Sequence, residues 1–245
     1  MSAASCSAAE RSATLVPSSR ASGTVAFASL GARGLAFIAD EDAQRVTVVD
    51  VDSGREIASA GLDAAPGGLL VLPSGMIVVT LPQRSQLALL AFDGQSLTSR
   101  CAITTAAEPV ALALTPNART LLVASAWGHR VTAYETATLR EEYQVELARE
   151  PRAVVVDDEG THAFVAHAVG SRLSRVDLTS RQVEQASLDA PLSFEVQQRV
   201  REFTQGMVGY LDKTPPAQRD ELRRELDKQI KSLATPERTA NQGFS

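Results

Sequence analysis

Short runs of apolar residues recur in pairs along most of the chain, with a tight turn inside each pair. Three pairs read GGLLVLPSGMIVVT from residue 67, VALALTPNARTLLVAS from residue 110 and RAVVVDDEGTHAFVAH from residue 152, and GTVAFASLGARGLAFIA from residue 23 is a fourth. The turns contain Gly, Asn, Asp or Pro, which supply the positive or preset φ angles that tight hairpins need. Apolar runs this short, separated by turn residues, predict β-hairpins.

Two further candidate strands follow each pair. The third comes after a polar loop, as in RVTVVDVDSG and RVTAYETAT, and a more polar fourth strand, such as REIASAGL, ends the unit. Four prolines, Pro66, Pro109, Pro151 and Pro191, mark the period with spacings of 43, 42 and 40 residues. Four antiparallel strands in about 42 residues are typical of a β-propeller blade. The sequence therefore predicts a mainly β protein with sixteen strands in four blades, at about 23–66, 67–109, 110–151 and 152–191.

The first copy, LAFIADEDAQRVTVVDVDSGREI, resembles the repeat of the YVTN-type (YncE-like) β-propeller family. Val48, Val49 and Asp50 stand at the usual strand position of that repeat, and Ser53 and Gly54 stand at its turn. The resemblance extends over residues 23–191 and implies a propeller used as an envelope, binding or enzyme-associated module. It also implies a location in the cell envelope or outside the cytoplasm. Such propellers usually have about seven blades, so four blades leave closure of the ring open.

The two ends of the chain differ from the repeats. Residues 1–22 are rich in Ser and Ala and lack the apolar run of a signal peptide, so we expect a flexible N-terminus. Residues 1–191 carry 15 basic and 21 acidic side chains, whereas residues 192–245 carry 9 and 8 and are rich in helix formers. Two apolar stripes at helical spacing predict an α-helical hairpin over 192–234, followed by a disordered tail over 235–245.

Composition and motifs exclude several classes of function. The net charge of −5 argues against a nucleic-acid partner, and no apolar run is long enough to span a membrane. The sequence contains no HExxH, CxxC, GxSxG, GxGxxG or P-loop pattern, so we expect no catalytic site, no cofactor and no metal. His162 and His167 are five residues apart in one predicted strand and point to opposite faces, which makes joint metal ligation by them unfavourable.

Two loops are candidate binding sites. Asp40, Glu41 and Asp42 form an acidic cluster between the second and third strands of the first unit, and Trp127 and His129 lie in the equivalent loop of the third. Clustered carboxylates suit Ca²⁺, although we favour a solvated loop. An exposed aromatic side chain can anchor a partner, and the alternative is a tryptophan folded over the blade edge.

These observations favour a non-catalytic repeat scaffold that binds a protein or ligand through its loops or edge. A protein partner or self-association is expected, because an unclosed ring leaves two apolar sheets exposed and the tail carries apolar stripes. We expect the tail to dock at the end of the fourth blade or to join a dimer contact, so that removing residues 193–245 increases self-association. One alternative is an enzyme of the propeller-lactonase kind, which needs convergent polar residues around the channel, where the first strands are apolar. Another is an incomplete propeller fragment without a selected function.

Overall fold

The computed structural model describes residues 13–188 and three positions beyond them, residues 198, 202 and 224. The chain divides into two compact units, Met1–Leu188 and Asp189–Ser245. In the first unit, the described residues form seventeen β-strands arranged in four antiparallel sheets.

Each sheet is made of strands that follow one another in the chain, and we call each sheet a blade. Blade 1 contains β1 (Val16–Pro17), β2 (Val25–Leu30), β3 (Arg33–Asp40), β4 (Arg45–Asp50) and β5 (Glu56–Gly61). Blade 2 contains β6 (Leu69–Val71), β7 (Met76–Leu81), β8 (Gln86–Phe92) and β9 (Leu97–Thr104), with a 3₁₀ turn at Pro82–Arg84.

The second half of the unit repeats this plan. Blade 3 contains β10 (Pro109–Leu114), β11 (Thr120–Ser125), β12 (Arg130–Glu135) and β13 (Glu141–Glu146). Blade 4 contains β14 (Pro151–Val156), β15 (His162–His167), β16 (Arg172–Asp177) and β17 (Val183–Ser187). The predictions of a mainly β protein and of four antiparallel units with four consecutive strands each are confirmed, with β1 as a seventeenth strand added to blade 1, and the arrangement is that of β-propeller blades.

Three apolar clusters hold the blades together, one between each blade and the next. In the first cluster, Phe37 of blade 1 meets Phe92 of blade 2 edge to face, with ring centroids 5.8 Å apart. Because alternate residues of a strand point to opposite faces, a blade with neighbours on both sides buries every residue of its inner strands, as β7 does. Among the clusters of the described residues, none joins blade 4 to blade 1.

Residues 13–24 run along the first strands of three blades. Strand β1 pairs with β2, and isolated bridges join Ala21 to Ala113 of β10 and Gly23 to Leu69 of β6. The amide of Ser22 donates to the carbonyl of Leu112 at 2.9 Å. The sequence predicted a flexible N-terminus over residues 1–22. For residues 13–22 this prediction is wrong, because backbone hydrogen bonds join them to the blades. The free edges of the first strands offer backbone groups that need hydrogen-bond partners, and this segment supplies them.

The predicted helical hairpin and disordered tail lie outside the described residues, apart from three helical positions. Gln198 and Glu202 are two of these, and the amide of Gln198 donates to the carboxylate of Glu202 at 2.9 Å, one helical turn further on. Arg224 is the third. Among the described residues, no helix has the length and apolar character needed to cross a membrane.

Candidate ligand-binding site

The turns between the second and third strands of the blades share one backbone design. Each ends in a residue with a positive φ angle, and the carbonyl of that residue accepts a hydrogen bond from the connection that leaves the same blade. The four pairs are Leu62 N to Gln44 O at 2.7 Å, Thr105 N to Ser85 O at 2.9 Å, Leu147 N to His129 O at 2.7 Å and Leu188 N to Ser171 O at 2.6 Å. These turns and connections therefore lie together at one end of the blades, which we call the upper end.

A groove of about 440 Å³ lies at the upper end between blades 3 and 4. Its walls come from the turn of blade 3, the connection between the blades and the turn of blade 4. His129, Arg149 and Arg172 line it, together with Val169 and Gly170. Trp127 lies two residues before His129 in the same turn and is 73% exposed. The structure thus places His129 in the lining of the groove and the exposed Trp127 in the same turn, both of them predicted from the sequence.

The groove carries positive charge. Arg149 and Arg172 are exposed, and within the described part of the chain neither side chain has a hydrogen bond or an ion pair. Arg152, a few residues further on, is different, because its guanidinium contacts Glu150 at 2.8 Å and Glu108 at 3.3 Å. Two guanidinium groups are therefore left to meet carboxylate or phosphate oxygens of a ligand, the anions that arginine binds best.

Hydrogen bonds fix the backbone that carries Arg149. Nδ1 of His167 lies 2.9 Å from the carbonyl oxygen of Arg149, and Nε2 lies 2.8 Å from the hydroxyl of Ser174. A carbonyl oxygen only accepts, so Nδ1 carries the proton, and in the neutral ring Nε2 accepts from Ser174. His167 therefore supports one wall of the groove and is not itself part of the lining.

Gly170 allows Arg172 to lie close to the turn of blade 4. Its φ angle is +76°, a conformation that favours glycine. A Cβ atom added at this position would lie 3.2 Å from Nε of Arg172. The glycine thus sets both the shape of the turn and the position of one of the two cationic side chains.

The acidic cluster lies on the equivalent turn of blade 1, away from the groove. Asp40 is the last residue of β3, and its carboxylate accepts from the amide of Ala43 at 2.9 Å and lies 3.7 Å from Nε of Arg45. Glu41 and Asp42 are exposed. In the described ranges, no group of three or more His, Cys, Asp or Glu side chains is arranged to hold a metal ion.

The other histidine of β15 lies at the opposite end of the blade. Nδ1 of His162 is 3.1 Å from the carboxylate of Asp157, and Nε2 is 3.9 Å from that of Asp177. Desolvation raises the pKa of Asp157, but hydrogen bonds from His162 and Thr161 outweigh it and lower the pKa to about 2. These contacts hold the turn between β14 and β15.

Sequence reasoning missed Arg149 and Arg172. Aligning the repeats at their prolines would have indicated Arg149, because this arginine stands where the connection between blades 2 and 3 has Ala107. No comparable signal marks Arg172, since its role depends on the packing of blade 4 against blade 3.

No family model matches the sequence, and no curated protein matches it. Solved β-propeller structures are similar to the chain. Hydrazine synthase from Kuenenia stuttgartiensis is 16% identical with a TM-score of 0.56, covering 62% of this chain and 45% of that one. A catalytically inactive virginiamycin B lyase from Staphylococcus aureus, solved with quinupristin, is 13% identical with a TM-score of 0.54, covering 66% and 55%. A streptogramin B lyase is 10% identical with a TM-score of 0.51, covering 74% and 70%.

The chain thus spans about half the length of the first two of these proteins. At such identities, the likeness shows the β-propeller fold alone.

Proposed function

We propose that this chain is a non-catalytic β-propeller scaffold that binds an acidic protein segment in the groove between blades 3 and 4. The observation that carries the proposal is two unpartnered guanidinium groups, on Arg149 and Arg172, in a groove whose blade 3 turn also carries the exposed indole of Trp127. Arginine and tryptophan are the residue types that most often dominate the binding energy of protein interfaces. A segment with carboxylates next to an apolar side chain would match both.

The strands nearest the N-terminal segment support a non-catalytic role. Strands β2, β6 and β10 carry no acidic, basic or nucleophilic side chain except Ser29, and residues 16–23 occupy part of their free edges. The first strand of blade 4 carries Arg152, whose guanidinium is paired with Glu108 and Glu150. A lactonase-like enzyme would need convergent polar groups around such a channel. No specific observation on the described residues favours that alternative.

Fluorescence provides a direct test, because Trp127 is the only tryptophan of the chain. The probe is the peptide Glu-Asp-Leu-Glu-Asp-Leu-Glu, and the control peptide has Gln and Asn in place of Glu and Asp. We expect saturable quenching or a spectral shift with the acidic peptide, weakened by added salt because exposed charges are screened. Arg149→Gln and Arg172→Gln should each raise the Kd by about tenfold, since each removes a charge-assisted hydrogen bond.

A matched variant separates groove binding from general charge attraction. Arg119 lies in the turn between β10 and β11, at the other end of blade 3, so Arg119→Gln removes the same charge without touching the groove. We expect that variant to bind like the wild type. Equal affinity for both peptides, or equal losses in all three arginine variants, would contradict the proposal.

A further inference from the structure

The two end blades expose faces that are buried in every other blade. In blade 3, the row of paired residues Ala113, Leu122 and Ala133 packs against blade 4. The same register in blade 4 places Val155, Phe164 and Arg175 in one row. Ala113 is 1% exposed and Val155 is 49% exposed. The outer face of blade 4 is therefore a blade-contact face without a neighbouring blade among the described residues.

Blade 1 has the complementary free face. The row Leu114, Leu121 and Tyr134 is the part of blade 3 that packs against blade 2. Its equivalent in blade 1 is Phe27, Ala36 and Val49. Phe27 is 52% exposed, whereas Leu114 is 2% exposed. Val25, on the same face as Phe27, is 43% exposed. An exposed phenylalanine beside an exposed valine on one sheet face is typical of an interaction surface.

We infer that a second copy of this chain covers both faces, with blade 4 of each copy packed on blade 1 of the other. Every blade has one face toward the following blade and one face toward the preceding blade. Each internal contact joins the first kind of face on one blade to the second kind of face on the next. Residues 13–188 carry one free face of each kind, so a second copy supplies both partners. The new interface continues the three internal ones.

The formation of a closed ring, which leaves no blade face free, favours an assembly of two copies. A single contact between unlike faces would leave two other faces free and would build an open chain. Two reciprocal contacts close a ring with two-fold symmetry and eight blades, which lies within the range of four to eight blades seen in propellers.

One ion pair lies on the outer face of blade 4. Arg175 contacts Glu184 at 2.8 Å, and both side chains are exposed. The internal contacts are most extensive at the first two strands, as where β10 and β11 meet β14, but they reach the third strand, because Ala133, the equivalent of Arg175 in blade 3, is fully buried. Pairing of the chains would therefore bury this ion pair together with Val155 and Phe164, and the two opposite charges would enter the interface as a pair.

The test measures the mass of the full-length chain by sedimentation velocity over a range of concentrations. We expect the wild type to form a species of twice the 26.0 kDa of one chain. Phe27→Glu on blade 1 and Val155→Glu on blade 4 should each raise the dimer Kd by at least about tenfold, because each buries an unpaired carboxylate. Val51→Glu is the matched control, since Val51 is 48% exposed but lies in the turn that follows β4. It should leave the mass unchanged.

Mixing the variants tests the pairing of unlike faces. A mixture of Phe27→Glu and Val155→Glu chains keeps one intact contact, between the wild-type blade 4 of the first and the wild-type blade 1 of the second. We therefore expect the mixture to associate more tightly than either variant alone, which also shows that both variants fold. A wild type that stays a single chain overturns the inference. So does loss of pairing in only one of the two variants, because that outcome indicates contact between like faces.

Discussion

A carboxylate ends, or directly follows, the third strand of every blade and holds the turn to the fourth. Backbone amides of the turn donate to it in three blades, and a hydroxyl does so in the remaining one. The contacts are Ser53 N to Asp50 at 2.8 Å, Ser96 N to Asp93 at 2.7 Å, Ser180 N to Asp177 at 2.7 Å and Thr138 Oγ1 to Glu135 at 2.6 Å. This is how short polar residues specify a turn, by offering the backbone a local partner.

Asp93 gives a pH-dependent prediction at the residue scale. Hydrogen bonds from the hydroxyl and amide of Ser96 and from the amide of Gln95 outweigh desolvation and lower the pKa of Asp93 from 3.8 to about 2. A lowered pKa means that the folded state prefers the ionised carboxylate. Its stabilisation is complete above about pH 4 and is lost as the pH falls toward about 2.

The variant Asp93→Asn should therefore differ from the wild type most at neutral pH. Urea unfolding at pH 6, 4, 3 and 2 measures the free energy of unfolding of both proteins, and we expect their difference to shrink between pH 4 and pH 2. Ser96→Ala, which removes only the hydroxyl donor, should give a smaller difference at pH 6. A difference that stays constant over the whole pH range would contradict the assigned role of the carboxylate.

At the scale of elements, residues 13–24 are a structural part of the blades. Leu15 is 2% exposed within the cluster between blades 1 and 2, whereas its neighbour Val16 is 62% exposed. Leu15→Ala should lower the free energy of unfolding by roughly 2–5 kcal/mol, because it opens a cavity in a packed core. Val16→Ala, the matched control, should change it by less than about 0.5 kcal/mol. Urea midpoints measure both, and equal effects would show that the segment is not packed.

The sequence predicted the strands of the blades and did not predict this segment. A blade is local, because its four strands follow one another and the turn between its first two strands carries Gly, Pro, Asn or Asp. Residues 13–24 instead pair with β2, β6 and β10, and the partners Leu69 and Leu112 are distant in sequence. The residues of the groove likewise include some that the sequence predicted and some that it did not. Trp127 and His129 share one turn and were predicted, whereas Arg149 and Arg172 join His129 in the lining of the groove only when two blades pack.

At the scale of the whole molecule, the blades should differ in stability. A linear array of repeats derives much of its stability from contacts between neighbours. Blades 2 and 3 have a neighbouring blade on each side, so the strands β7 and β8 are almost fully buried, while β17 at the end of the array is mostly exposed. Local opening requires less free energy where fewer apolar contacts are lost. Amides of β7, β8 and β11 should therefore exchange with solvent most slowly, and those of β17 most rapidly.

Hydrogen exchange measured by mass spectrometry at two protein concentrations tests this gradient together with the proposed pairing of chains. When the wild type is diluted until single chains dominate, peptides from β2, β3, β14 and β15 should exchange faster, because their free faces lose a partner. Peptides from β7 and β8 should stay unchanged, since their neighbours belong to the same chain. In Phe27→Glu, the end blades should exchange rapidly at both concentrations. Identical exchange in all four blades would mean that they open as one cooperative block, and the end faces would then have no special role in stability.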